Sequence, residues 1–290
     1  MNEQHPTDAE RREPGRAELA VLGSPIAHSK SPAIHAAAYE VLGLPWNYGR
    51  HEVEAVELAS FLAQCGPDWR GLSLTMPLKE EAARLATVVD PVASESGVVN
   101  TLFRITSAPD GSPQWAGFNT DVAGLARALA GAGLDASATV VLGAGATAVS
   151  AVLAARTLGA MQIAVAARRP EAASELADRM GGNVTALTLG DEPAFAPTLV
   201  ISTLPGPAGG AATLPASLLT VPLFDVAYDP WPSPLALRWA AAGSIAHAGL
   251  DMLVEQALVQ IRIFMNGDPN TPVADEQSVL AAMRAASVER

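Results

Sequence analysis

Short apolar runs rich in β-branched residues alternate along the chain with longer stretches whose apolar positions recur at helical spacing. Leu19–Gly23 reads as a buried strand. Ser31 and Pro32 suit the N-cap and first turn of a helix that runs to Leu42 and stops before Gly43 and Pro45. Trp46–Val53 predicts a strand, Ala55–Gln64 a helix, and Gly71–Thr75 a short strand closed by Met76–Pro77. A helix follows over Leu78–Ala86 and one more helical turn over Asp90–Ser96. Val98–Ile105 and Trp115–Phe118 predict a hairpin around Asp110–Gly111.

Beyond a helix from about Asp121 to Gly131–Gly133, the alternation sharpens. Strands are predicted from Thr139, at Gln162–Ala167, Val184–Leu189, Thr198–Thr203, Leu223–Val226 and Ser244–Ala246, with helices to about Leu158 and over Glu171–Met180. Pro205–Gly206–Pro207 and Asp229–Pro230–Trp231–Pro232 mark loops at strand ends. A long amphipathic helix over Asp251–Met265, a loop at Asn266–Pro272 and a last helix to about Ala286 close the chain. This order predicts an α/β fold with mainly parallel sheets in two domains. Residues 19–120 with 249–290 form one, the last helices returning to it, and residues 121–248 form the other. Met1–Glu18, polar and mixed in charge, predicts a disordered tail.

The most informative stretch is Thr139–Val140–Val141–Leu142–Gly143–Ala144–Gly145–Ala146–Thr147–Ala148. A strand runs into glycines and the glycines into a helix, the order a dinucleotide pyrophosphate requires. Gly143 suits the tight turn, Gly145 lets the backbone approach the phosphates, and Ala148 lets the helix pack close to the strand. The helix start then offers free N–H groups and the positive end of its dipole. A Rossmann-type cofactor domain is the expectation, although such turns also serve plain strand–helix packing. The second strand ends in Ala167–Arg168–Arg169–Pro170. An NAD site usually places Asp or Glu there for the ribose 2′-OH. With no carboxylate and two guanidinium groups able to grip a 2′-phosphate, NADP is the expected cofactor.

Composition narrows the remaining classes. With 290 residues the chain can bury two modest cores. A formal charge of −12 and a pI near 4.8 argue against nucleic-acid or anionic-membrane partners. A single cysteine, Cys65, excludes a disulfide framework and a thiolate metal cluster, and no metal is expected. The start lacks the apolar core of a signal peptide and no run is long enough to span a bilayer, so a cytoplasmic enzyme, monomer or homodimer, is the expectation.

The first domain gathers polar residues at element ends. Ser29 and Ser31 flank Lys30 at a helix start, where they suit a hydroxylated carboxylate or serve as ordinary caps. Thr75 and Lys79 follow a strand, Asn100–Thr101 and Asn119–Thr120–Asp121 end two more segments, and capping explains such residues as well. No histidine is well placed by the motif order: His28, His35, His51 and His247 lie at or in other elements.

Taken together, Gly-Ser-Pro-Ile-Ala-His-Ser-Lys-Ser-Pro, Leu-Thr-Met-Pro-Leu-Lys, Val-Asn-Thr-Leu, Asn-Thr-Asp, Gly-Ala-Gly-Ala-Thr-Ala, Asp225-x-x-Tyr228 and Gly249-Leu-Asp-Met-Leu-Val-Glu-Gln256 resemble the shikimate dehydrogenase family, in its order, from about Leu19 onward. The resemblance implies reversible reduction of 3-dehydroshikimate to shikimate with NADP. It implies that Ser29 and Ser31 hold the carboxylate, that Thr75, Asn100, Thr120 and Gln256 hold ring hydroxyls with Tyr228 nearby, and that Lys79 and Asp121 form the catalytic pair. On the cofactor side it points to Gly143, Ala144, Gly145, Ala146, Thr147, Ala148, Arg168, Arg169, Thr203 and Gly249. There the family pattern is broken. Ala167, Arg169 and Ala172 stand where the family often has Asn, Thr and Arg, and the nicotinamide-side segment reads Ser202–Thr203–Leu204–Pro205. A quinate or aminoshikimate dehydrogenase, or a catalytically silent NADP-binding regulator, are the alternatives.

Overall fold

A computed structural model describes residues 15–105 and 108–288. In chain order the elements are β1 (Ala17–Gly23), α1 (Ser31–Leu42), β2 (Trp46–Glu52), α2 (Leu58–Gln64), β3 (Trp69–Leu74), α3 (Lys79–Leu85), β4 (Val88–Val89) and α4 (Pro91–Ser96). The hairpin strands β5 (Thr101–Arg104) and β6 (Trp115–Phe118) follow, then α5 (Asp121–Gly131), β7 (Ala138–Leu142), α6 (Ala146–Thr157), β8 (Gln162–Ala167), α7 (Pro170–Met180), β9 (Val184–Thr188) and β10 (Leu199–Ser202). The remainder is α8 (Gly206–Gly210), β11 (Leu223–Asp225), α9 (Pro234–Ala241), β12 (Ala246–Ala248), α10 (Leu250–Asn266) and α11 (Glu276–Val288).

The first sheet runs β2-β1-β3-β5-β6-β4. β1 lies parallel to β2 and β3, and β4 parallel to β6, while the β5–β6 hairpin is antiparallel to itself and to β3. β1 is apolar and buried at every position but Glu18, as a strand covered on both faces must be. The second sheet runs β12-β11-β10-β7-β8-β9 with every pair parallel. Its strand order reverses beside β7, which places the turn after β7 at the crevice where ligands bind in such sheets.

α10 explains how one chain organises both sheets. Twelve of its seventeen residues are buried, eight of them apolar, so it is enclosed around most of its circumference. Val254, Leu258, Ile261 and Phe264 join the core of β1, α1 and α11. Its N-terminal turn meets α5, where Gly124 lies so close to Gln256 that an added Cβ would collide with that residue's backbone nitrogen. The last helices thus pack on the first sheet, as expected. α5 also contributes Leu125 and Leu129 to the core beneath β7 and α6.

Several expectations are corrected. Residues 1–14 of the expected tail lie outside the described residues, while Ala17 and Glu18 open β1. Ser31 is the first helical residue of α1 and Lys30 the N-cap, with no side-chain capping bond. The segment expected as a loop at Pro205–Pro207 enters α8, and the strand expected at Ser244–Ala246 is β12 at Ala246–Ala248. α9 was not foreseen, although Ser233 caps it through Ala236 N–H and Pro234 opens it.

Candidate active site

The floor of the site lies where β3, β5 and β6 meet. Because β5 runs antiparallel to both neighbours, its start faces their ends: Ser73 pairs with Thr101 and Thr101 with Phe118. Asn100, just before β5, therefore sits beside Thr120 and Asp121, just after β6, and near Lys79 at the start of α3. Lys79 Nζ donates to Asp121 Oδ2 at 2.6 Å, with side chains only 12% and 7% exposed. Asp121 Oδ1 accepts from Asn100 Nδ2 at 2.8 Å, and the Asp121 N–H donates to Asn119 Oδ1. A carboxylate held on both oxygens leaves the lysine ammonium fixed and aimed.

The Asn100 amide can face only one way. Its Oδ1 accepts from the Thr120 backbone N–H at 2.9 Å, a group that only donates, while its Nδ2 faces the carboxylate. Thr120 is buried behind the floor and bonds Asn100 and Gln256; it does not line the cleft. Gln256 does, with its amide N–H tied to Leu253 O.

Above this floor opens a cleft of about 700 Å³ that also exposes Ser29, Ser31, Thr75, Tyr228, Thr147 and Thr203. Ser29 Oγ accepts from the Ser31 N–H, and the Ser31 hydroxyl, at the start of α1, makes no hydrogen bond among the described residues. Burial, aided by Asp229, pushes the Tyr228 phenol above its ordinary value, so it remains a neutral donor. His28, set aside on motif order, also lines the mouth, where it is exposed. Gly249 lines the wall at the start of α10.

Across the cleft the nucleotide side is built from backbone. Gly143 turns at φ +113°, and a Cβ there would strike Thr203 Oγ1, whose own hydroxyl donates to Leu142 O. Gly145 is the N-cap of α6, and a Cβ there would project into open space with nothing within 4 Å. That space, over the N–H groups of Ala146 and Thr147 at the helix start, fits a pyrophosphate, while the Ala148 N–H already donates to Gly145 O. Ala144 and Ala146 are part-buried against the core, and Ala148 is fully buried beneath it. Arg168 and Arg169 follow β8 in solvent, and neither side chain makes a hydrogen bond or ion pair among the described residues. The residues present fit a phosphorylated dinucleotide.

Four polar residues that hold this arrangement received no site role from the sequence: Ser73 and Gln260 were not singled out, Asn119 was read only as an element-end residue, and His35 was set aside. Asn119 Nδ2 donates to Ser96 Oγ at 3.0 Å and to Ser150 Oγ of α6 at 3.1 Å, so one side chain joins the two halves. Ser73 and Gln260 line the cleft floor, and His35 is buried beneath them. The signal for Gln260 was present: it lies one helical turn after Gln256 on the buried face of the same helix.

A parallel sheet with a glycine turn shares its cleft with a buried lysine–carboxylate pair, which makes this a two-sheet α/β protein with a dinucleotide-type turn. Residues 21–102 match the family model described as the shikimate dehydrogenase substrate binding domain. The chain is 32% identical over 268 residues to the shikimate dehydrogenase (NADP(+)) of Sphingopyxis alaskensis, covering 90% of this chain and 95% of that one. It is 38% identical to a crystal structure of Mycobacterium tuberculosis shikimate dehydrogenase, with a TM-score of 0.78 and coverage of 93% and 99%. The Thermus thermophilus shikimate 5-dehydrogenase, solved in complex with NADP(H) and shikimate, is 32% identical with a TM-score of 0.78 and the same coverage. The chain also matches the pentafunctional AROM polypeptide of Yarrowia lipolytica at 32% identity and spans 17% of its length. The chain belongs to the shikimate dehydrogenase family.

Proposed function

We propose that the protein catalyses the reversible, NADP-dependent interconversion of shikimate and 3-dehydroshikimate. The observation that carries this reading is the Lys79–Asp121 pair, at 2.6 Å, on the floor of a cleft whose opposite wall is the dinucleotide turn. Bound NADPH would supply the hydride to the carbonyl carbon. Lys79 donates a proton to the carbonyl oxygen as the C–O bond lengthens, and takes it back in the oxidising direction. Asp121, held by Asn100, keeps the ammonium aimed. Ser29 and Ser31, at the positive end of α1, hold the substrate carboxylate. Thr75, Asn100 and Gln256 meet ring hydroxyls, with Tyr228 closing one side. Thr120 acts from behind, through its bonds to Asn100 and Gln256.

NADP is supported by the open space at Gly145, by Arg168 and Arg169 without protein partners, and by the absence of a carboxylate at the end of β8. The relatives named for NADP agree. The test offers purified protein shikimate and quinate, each with NADP and NAD. Turnover fastest with shikimate and NADP is the expected result. Preference for quinate or for NAD would assign a sister activity, and NADP binding without turnover on any of these would assign a regulator. Among the described residues no helix is long and apolar enough to cross a membrane.

A further inference from the structure

In the floor and behind it lies a second set of buried polar groups that the chemistry above does not use. Gln260 of α10 is 2% exposed. Its Nε2 donates to Thr101 Oγ1 at 3.0 Å and lies 3.4 Å from the Asn100 carbonyl. That carbonyl only accepts, so the nitrogen of the amide is on this side and Oε1 is on the other. There Oε1 accepts from Ser73 Oγ at 2.7 Å and from His35 Nε2 at 3.3 Å. Ser73 in turn accepts from Tyr48 O–H at 2.6 Å. His35 stacks on Tyr48 with ring centroids 3.9 Å apart, and its other nitrogen accepts from Tyr39 O–H.

Following the protons gives a single direction. Tyr48 donates to Ser73, Ser73 to Gln260, Gln260 to Thr101, and Thr101 donates to Asn100 Oδ1 at 2.9 Å. Asn100 then donates to Asp121 Oδ1 at 2.8 Å. A Thr101 hydroxyl that accepts from Gln260 has its one proton free for Asn100. Were that acceptance lost, the hydroxyl could turn away and leave Asn100 Oδ1 held only by Thr120, on the side of α5. Five donors pointing one way in a dry interior also polarise one another.

We infer that Gln260 and Thr101 are positioning residues of the active site: they orient the Asn100 amide from the first-sheet side, and through it the Asp121–Lys79 pair. This rests on the proposed chemistry of that pair. It assigns to Gln260, whose amide is engaged on both sides by Ser73 and Thr101, a role distinct from that of Gln256, one turn earlier, which meets the substrate.

Thr101→Val keeps the side-chain shape and removes the hydroxyl, Thr101→Ser restores it, and Gln260→Glu replaces the donating nitrogen with an accepting oxygen. Thr101→Val and Gln260→Glu should each lower kcat for shikimate oxidation about tenfold, with KM for shikimate moving less than about threefold. NADP affinity should not change. Thr101→Ser should recover kcat to within about twofold, and the Thr101→Val/Gln260→Glu double variant should be no worse than the poorer single one, because both act on one chain of bonds. A Thr101→Val enzyme with wild-type kcat, a Thr101→Ser enzyme as slow as Thr101→Val, or additive losses would overturn the inference. A measurement on the unaltered protein is independent of whether variants fold. The side-chain amide protons of Asn100 and Gln260 should exchange slowly with solvent by NMR, and exchange at the rate of a free amide would overturn the inference as well. Failure of the underlying reading looks different: wild-type protein inactive on shikimate, or full kcat after loss of Lys79.

Discussion

On the first-sheet wall of the cleft, Asn100 alone engages Thr101, Thr120 and Asp121, whereas on the nucleotide side Arg168 and Arg169 stand in solvent without a partner among the described residues. The first wall is a set of buried side chains from β3, β5, β6 and α10, each satisfied by another before any ligand arrives. The second wall is turn backbone, small side chains and two exposed cations. Buried polar groups in low dielectric gain strength from one another and lose heavily when one is removed. Exposed cations gain little until a phosphate displaces their water. The two walls should therefore fail differently, the first through rate and the second through affinity.

The largest failure is expected at Lys79. Lys79→Ala should bind shikimate with a similar or modestly raised KM and lose about 10²–10⁴ in kcat, the range for a lost proton-transfer group. Because the substitution leaves Asp121 buried without its cation, folding should be checked by thermal denaturation alongside. If kcat stays near wild type while only KM rises, Lys79 holds the substrate and the proton leaves by another route.

The nucleotide wall should lose affinity and little else. Replacing Arg168 and Arg169 together by glutamine should weaken NADP by about 1.5–3 kcal/mol, roughly ten- to hundredfold, if both grip the 2′-phosphate. NAD affinity, measured by the same titration, should barely move. Equal losses for both cofactors would mean that the arginines serve the turn or the fold, and not the phosphate.

This contrast also explains what could be read from the sequence. The nucleotide side is local: strand, Gly143, Gly145 and helix follow one another within a dozen residues, and each glycine has a backbone reason to be there. The alternation of strand and helix is legible for the same reason. The floor of the first wall is assembled from Lys79, Asn100, Asp121 and Gln256, far apart in sequence, and only the spacing of whole motifs pointed to it. Gln260, Ser73 and His35 fell outside those motifs, and Asn119, inside one, carried no role of its own. Each looks like an ordinary polar residue until β5 turns back antiparallel and brings residue 100 beside residue 120. α9 was a simpler miss, since Ser233–Pro234 is a legible helix start masked by the prolines before it.

Acid separates the two halves in another way. Burial drives the His35 imidazole down to about 3 from its ordinary 6.5, against the smaller opposing effect of its bond to Gln260. The folded protein keeps His35 neutral while the unfolded chain protonates it, so this site's stability is full above pH 6.5 and is lost as pH falls toward 3. By pH 5 the loss should reach about 2 kcal/mol, following 1.36 kcal/mol per pH unit. Asp225, the last residue of β11 in the second sheet, shifts the other way: burial raises its carboxyl, despite the bond from Ser233, so acid favours its folded form. Urea unfolding at pH 7 and pH 5 should show the loss, and His35→Asn should flatten that slope whatever it does to stability at pH 7. An unchanged slope in the variant would remove His35 as the cause.

The smallest expected effect tests whether the walls communicate at all. Asn119 is the side chain they share: its Oδ1 accepts from the Asp121 N–H, and its Nδ2 reaches both Ser96 of α4 and Ser150 of α6. α6 is the helix whose start would hold the cofactor phosphates, so a shift of α6 on binding would pull on the residue that seats Asp121. Ser150→Ala cuts the link on the α6 side and leaves Asn119 Nδ2 satisfied by Ser96, so no buried group is orphaned. Stability should fall by only about 0.5–1.5 kcal/mol, the net value of one hydrogen bond. The informative quantity is the ratio of shikimate affinities with and without NADP, from titrations of both forms. If Asn119 carries the coupling, that ratio should move toward one in Ser150→Ala while each ligand still binds alone with nearly wild-type affinity, since linkage requires the effect to be reciprocal. A ratio identical to wild type would mean that the two walls act independently, each organised by its own sheet.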